Sequence, residues 1–93
     1  MKYVKVRWNH DFDDDPVVYL SELDEDECET RKVQFYRDGS GEWSDGFRET
    51  PTVGLAEIPF PPLKEIDDQD DFSAELISAE EFEDAWIRVR ANS

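Results

Sequence analysis

The chain is predicted to be an α+β domain, an antiparallel sheet of four to five strands with one C-terminal helix packed across one face. Three observations predict it. Apolar and polar residues alternate with a period of two over residues 3–8 and again over 30–37, as in half-buried strands. Asp38-Gly39-Ser40-Gly41 is a strong turn signal, because glycine supplies the positive φ that tight hairpins need. In the last stretch, Phe82, Ala85, Trp86 and Val89 fall at i, i+3, i+4 and i+7, one stripe of a helix.

Taken in order, Val4, Val6 and Trp8 point one way from the first strand, and Tyr3, Lys5 and Arg7 form a basic outer row on the other. Residues 9–16 break it, since clustered like charges and a proline disfavour continued pairing. Residues 16–23 are β-branched and aromatic, a second strand partly covered on both faces. A charged turn at residues 24–27 leads to the third strand, in which Val33 and Phe35 oppose Lys32, Gln34 and Tyr36. A short fourth strand follows around residues 42–44, then mostly loop over 45–52, with an edge strand near 52–56. Ile58-Pro59-Phe60-Pro61-Pro62-Leu63 is predicted to be an extended strap, because its prolines remove backbone donors and fix φ. A short turn or single helical turn over 64–72 and a brief strand or extended segment over 73–77 bring the chain to its final helix. There Ser78 and Glu81 have the spacing of a capping box, and Ile77 is placed to staple onto Phe82. Acids in the first turns and arginines in the last complement the helix dipole.

Ninety-three residues form one domain with one modest core. Hydrophobic residues at 38% and aromatics at 13% predict folding rather than disorder, despite the charge. Asp and Glu number 25 against 10 Lys and Arg, a net charge of -15. Such a balance repels nucleic acid and anionic membranes and steers basic partners over about a Debye length, roughly 10 Å at 0.1 M salt. No apolar run approaches the roughly 20 residues of a membrane span, and the N-terminus lacks the apolar core of a signal peptide, so the chain reads as cytoplasmic.

No catalytic, cofactor or metal constellation emerges. His10 is the sole histidine and lies beside Asp11, with no nucleophile partner in the sequence. Residues 11–22 carry acids at positions 1, 3, 5 and 12 of a calcium loop, but Pro16 stands where that loop needs glycine. Cys28 is a lone cysteine among Asp26, Glu27 and Glu29, whose charges disfavour its thiolate. Neither a phosphate loop nor a dinucleotide fingerprint occurs. The basic residues Lys2, Lys5, Arg7, Arg31, Lys32 and Arg37 are read as partners of neighbouring acids rather than as a nucleic-acid surface.

The acids themselves fall in connections, residues 11–15, 24–29 and 67–71. If two groups lie at one end of the sheet, they make a negative surface on which aromatics anchor a partner. The candidate partner-binding residues are Asp11, Phe12, Asp13, Asp14, Asp24, Glu25, Asp26, Trp43, Phe47, Asp67 and Asp68.

Met1-Lys2-Tyr3-Val4-Lys5-Val6-Arg7-Trp8-Asn9-His10, Arg31-Lys32-Val33 through Arg37-Asp38-Gly39, and Ile77-Ser78-Ala79-Glu80-Glu81-Phe82-Glu83 together resemble a family of small acidic bacterial proteins of unassigned function. Members of this kind resemble immunity proteins of bacterial toxin systems, which block a toxin by occupying its active site or substrate surface. The resemblance implies one domain and bacterial origin, and it carries no catalytic residues over. The expected function is a non-enzymatic, antitoxin-like module that neutralises a basic toxin domain. The alternatives are an acidic mimic that occupies a DNA- or RNA-binding protein, and, third, a small metal-dependent domain using His10 and loop carboxylates.

Overall fold

The structure is a computed structural model that describes residues 1–12, 15–45 and 62–91. Its elements are β1 (Lys2–Trp8), β2 (Val18–Leu23), β3 (Glu29–Phe35), β4 (Gly41–Asp45), α1 (Leu63–Asp67), β5 (Phe72–Leu76) and α2 (Ala79–Ala91). The five strands form one antiparallel sheet in the order β4-β3-β2-β1-β5, with α2 lying across it. The predicted α+β architecture is therefore the observed one. The edge strand near 52–56 and the proline strap up to residue 61 lie outside the described residues, as do Asp13, Asp14 and Phe47.

Local chemistry sets each connection. In the β3–β4 hairpin the Asp38 carboxylate accepts from Ser40 N–H (2.9 Å) and the Ser40 hydroxyl (2.6 Å), and Gly39 takes φ 91°. A residue with a Cβ is strained at that φ. Asp24 plays the same part between β2 and β3, accepting from the N–H groups of Asp26 (2.9 Å) and Cys28 (3.0 Å). Pro62, with no N–H to satisfy, immediately precedes α1. At α2, Glu81 N–H donates to the Ser78 hydroxyl at 3.1 Å, so half of the capping box forms. The other half does not, because the Glu81 carboxylate instead accepts from Lys5 Nζ at 3.3 Å.

The buried core between sheet and helix is Leu20, Val33, Phe82, Ala85, Trp86 and Val89, with Tyr3, Phe35, Trp43 and Ile77 packed against it. The stripe predicted on α2 is the stripe that is buried. Phe82 is fully buried, worth about 1.5–3 kcal/mol for an aromatic or large aliphatic side chain. Gly41 lets β4 run under the helix, since a Cβ there would stand 2.7 Å from Val89 Cγ2 and 2.9 Å from Phe35 Cδ1.

The basic row of β1 requires a correction. Tyr3, Lys5 and Arg7 pair across with Glu22, Leu20 and Val18, and so share the helix-bearing face. Tyr3 packs on Phe82 at 5.3 Å between ring centroids, and Lys5 reaches Glu81 on α2. Val4 and Val6 are buried on the opposite face. That second face also buries the polar residues Ser21, Gln34 and Ser44, with the Ser21 hydroxyl donating to Glu29 Oε2 at 2.6 Å. Both faces of β2 are thus covered, as its sequence predicts.

Under the first half of α2, the charges form one network. Arg31 donates from Nε to Glu22 Oε1 (2.9 Å) and from Nη2 to Glu22 Oε2 (2.6 Å), and it also pairs with Glu83 of α2. Its guanidinium lies 4.9 Å from the ring centroids of both Phe82 and Trp86. Thr30 Oγ1 adds a bond to Glu22 Oε1 at 2.7 Å. The Arg31 bonds outweigh the cost of burial and hold the Glu22 carboxyl at about 2, down from an ordinary 4.5. Burial, then the neighbouring Glu22, push the Tyr3 phenol up.

Candidate functional site

Sheet topology decides which acidic connections meet. β1 ends, β2 begins, β3 ends and β5 begins at one end of the sheet. Residues 9–12 and 15–17, the 36–40 hairpin and residues 68–71 therefore gather there. Three contacts tie them together: Asn9 N–H donates to Asp71 carbonyl (2.8 Å), Val17 N–H to Phe35 carbonyl (2.8 Å), and Arg37 to the His10 carbonyl. The described members of two of the three predicted acidic groups, 11–15 and 67–71, are accordingly neighbours. The third, around Asp24, Glu25 and Asp26, lies at the opposite end, beside the start of β1, where Lys2 pairs with Glu27.

A continuous run of rings supports the shared end. Trp8, the last residue of β1, stacks on Phe72, the first of β5, with centroids 5.8 Å apart and planes 7° from parallel. His10 lies 4.1 Å from Trp8, and Phe12 stacks on His10 at 5.5 Å. Phe12 remains 61% exposed, so the outermost ring of the run faces solvent. An exposed aromatic among carboxylates is what an interface anchor with a polar rim looks like.

His10 builds this loop rather than standing ready for proton transfer. Its Nδ1 accepts from Phe12 N–H at 2.9 Å, which puts the proton on Nε2, and Nε2 donates to the Pro16 carbonyl at 2.8 Å. Both ring nitrogens are engaged by backbone.

Around the rings, Asp11, Asp68, Asp70 and Asp71 are exposed, and among the described residues no Lys or Arg lies in ion-pair reach of them. A cleft of about 500 Å³ opens beside Asp70 and Asp71, lined also by Arg7, Trp8, Asn9, Val17 and Phe72. Asp67 is used differently. Its carboxylate accepts from Ala74 N–H at 3.2 Å on the outer side of β5, and Phe72 N–H donates to Gln69 carbonyl at 3.1 Å. The short α1 turn thereby occupies two donors of an edge strand, which blocks pairing with a further chain.

Trp43 is placed in the helix–sheet layer. Its ring meets Trp86 edge-on at 5.2 Å, with Arg90 5.1 Å from its centroid, so it belongs to the core and not to the acidic end. At the far end, Glu25 and Asp26 are exposed, while the Asp24 carboxylate organises its own turn. Partial burial, with Asp24 and Asp26 beside it, pushes the Cys28 thiol up. Among the described residues no three His, Cys, Asp or Glu side chains converge as a metal site needs, and no helix is long and apolar enough to cross a membrane.

Trp8, His10 and Phe72 are the members of this end that sequence reasoning does not select. Trp8 reads as the end of a strand and Phe72 as the end of a turn, whereas Phe72 opens β5, and their stacking depends on β5 pairing with β1 across more than sixty residues of chain. The usable signal was the acidic stretch bordering each ring.

No curated protein and no solved structure matches the chain. A family does match over residues 2–91, nearly the whole chain, and the protein therefore belongs to the DUF6881 family, a domain of unknown function.

Proposed function

We propose that the protein is a non-enzymatic protein-binding module that holds a basic partner at the acidic end of its sheet, in the manner of an immunity protein that neutralises a toxin domain. One observation carries this reading: two acidic connections distant in sequence are joined at one end, around a ring stack whose outer member, Phe12, faces solvent. Clustered like charges repel one another and add nothing to folding. Their energetic benefit comes when a cationic surface meets them, where long-range attraction raises the association rate above the 10⁵–10⁶ M⁻¹s⁻¹ typical, roughly, of uncharged docking. Phe12 then supplies short-range affinity that charge alone does not.

The test is affinity capture of the tagged protein from a host that co-expresses products of its neighbouring genes, with bound proteins identified by mass spectrometry. The expected result is a basic protein whose growth inhibition disappears on co-expression. Its association rate should fall as salt rises from roughly 50 to 500 mM, since screening removes steering. A rate indifferent to salt contradicts the mechanism. Capture of a non-toxic DNA- or RNA-binding protein, displaced by duplex DNA, would favour the acidic mimic instead.

A further inference from the structure

A groove of about 860 Å³ separates α2 from the sheet on the helix-bearing face. α2 lies over β4, β3, β2 and β1, and the groove runs beside it over the end of the sheet where β1 and β3 finish and β2 begins. The floor of the groove is Val18, Leu20 and Phe35, and Ala85 and Val89 line its helix wall. The Lys5–Glu81 ion pair closes one end, and the hairpin at Gly39 to Gly41 bounds the other.

Two arginines border this groove. Arg7 is exposed on β1, and Arg88 of α2 lies over the Phe35 ring at 5.0 Å. Among the described residues neither has a carboxylate in ion-pair reach, although the chain holds 25 acids and only 10 basic residues. The strand register relates them. Arg7 pairs with Val18 and Val18 with Phe35, so Arg7 and the Phe35 ring beneath Arg88 flank Val18, on strands about 10 Å apart.

We infer that this groove binds a small organic monoanion: a carboxylate held between Arg7 and Arg88, with an aromatic or branched aliphatic body laid on Val18, Phe35 and Val89. The guanidinium fork matches a carboxylate in two parallel hydrogen bonds. Small-molecule sites of about 300–1,000 Å³ combine an apolar lining with a few placed polar groups, as here. Asp84 lines the same groove and repels a second negative charge, which selects a monoanion over a dianion such as a phosphate monoester. The overall acidity of the protein opposes anions at long range, but it is screened beyond about 8 Å at physiological salt, whereas the arginines act at contact.

The experiment is an NMR titration of the full ¹⁵N-labelled chain with 2-naphthoate, with uncharged 2-naphthamide as control. The expected result is saturable shifts concentrated at the amides of Arg7, Val18, Phe35, Gly39, Gly41 and Arg88, with the amide about tenfold weaker, as befits loss of a charged hydrogen-bonding group. R7Q and R88Q should each weaken naphthoate about tenfold, while K64Q, which removes a cation elsewhere, leaves binding unchanged. Arg7 is exposed on a strand, so R7Q keeps the test valid if R88Q disturbs the helix. No saturation by about 10 mM, equal binding of naphthamide, or naphthoate affinity unchanged in R7Q would each overturn the inference.

Discussion

Where β2 turns into β3, Glu22 and Glu83 share Arg31 beneath the helix. Where β1 turns into β2, Asp11, Asp68, Asp70 and Asp71 face water without a cation in reach among the described residues. Both groups are carboxylates on one small sheet, and physical chemistry treats them oppositely. In the first group Glu22 is buried and bonded and Glu83 shares its partner, so loss of that pairing should damage folding. The second is hydrated and mutually repelling, so its removal should leave folding intact or improve it slightly. Acidity alone is thus no guide to role, because burial and partner decide it.

The largest effect should come from R31M, which leaves Glu22 under the helix without its partner. A loss of about 3 kcal/mol is expected, read as a lower urea midpoint at unchanged slope. R31K should recover less than half of that, because an ammonium lacks the planar fork. A loss below about 1 kcal/mol, the range of surface pairs, would erase the contrast between the two ends.

Acid titration sharpens the same point. The Glu22 carboxyl is held at about 2 in the folded chain against an ordinary 4.5. Its contribution is therefore fully present above the unfolded value and is lost as pH falls through 4.5 towards about 2. On the order of 3 kcal/mol is at stake over that window, at 1.36 kcal/mol for each pH unit between the two values. Unfolding free energy measured across it should fall in the wild type with a slope that flattens in E22Q. Equal slopes would show that other carboxyls carry the acid sensitivity.

G41A should cost about 1–3 kcal/mol, since its methyl group meets Val89 and Phe35 well inside contact distance. Thermal unfolding followed by tryptophan fluorescence reads this directly. Smaller again, H10A removes the acceptor for Phe12 N–H and the donor to Pro16 carbonyl, at about 1 kcal/mol. The expected readout is faster hydrogen exchange at Phe12, with little change at the α2 amides. Slowed or unchanged exchange would mean that the ring does not organise the loop.

The sheet and the helix were legible because alternation and the i, i+3, i+4 stripe are local signals, and each element of the described residues lies within a few residues of its predicted place. What local signals lack is facing and distance. Alternation sorts Tyr3, Lys5 and Arg7 from Val4 and Val6, but it does not say which row meets the helix. Long cationic side chains mislead here, because their stems cover apolar surface while the charge reaches an acid such as Glu81. Trp43, in a glycine-interrupted stretch, reads equally as core or as interface until Trp86 packs against it. The union of residues 11–15 with 67–71 depends on β5 pairing with β1, a long-range contact that no window of sequence contains. Asp67 shows the limit most clearly, since only the fold reveals that its carboxylate holds the edge of β5.

The central claim is that the end of the sheet bearing Phe12, and no other, holds a basic partner. The most direct measurement is capture from the co-expressing host with two variants of equal charge change, D11N/D68N/D70N at that end and D24N/E25Q/D26N at the other. Because Asp24 organises its own turn, circular dichroism of each variant accompanies the capture. The account predicts that the wild type and the far-end variant retain the partner while D11N/D68N/D70N, folded and at least as stable as wild type, releases it. Retention by D11N/D68N/D70N at wild-type level, or equal loss from both variants, would contradict the account.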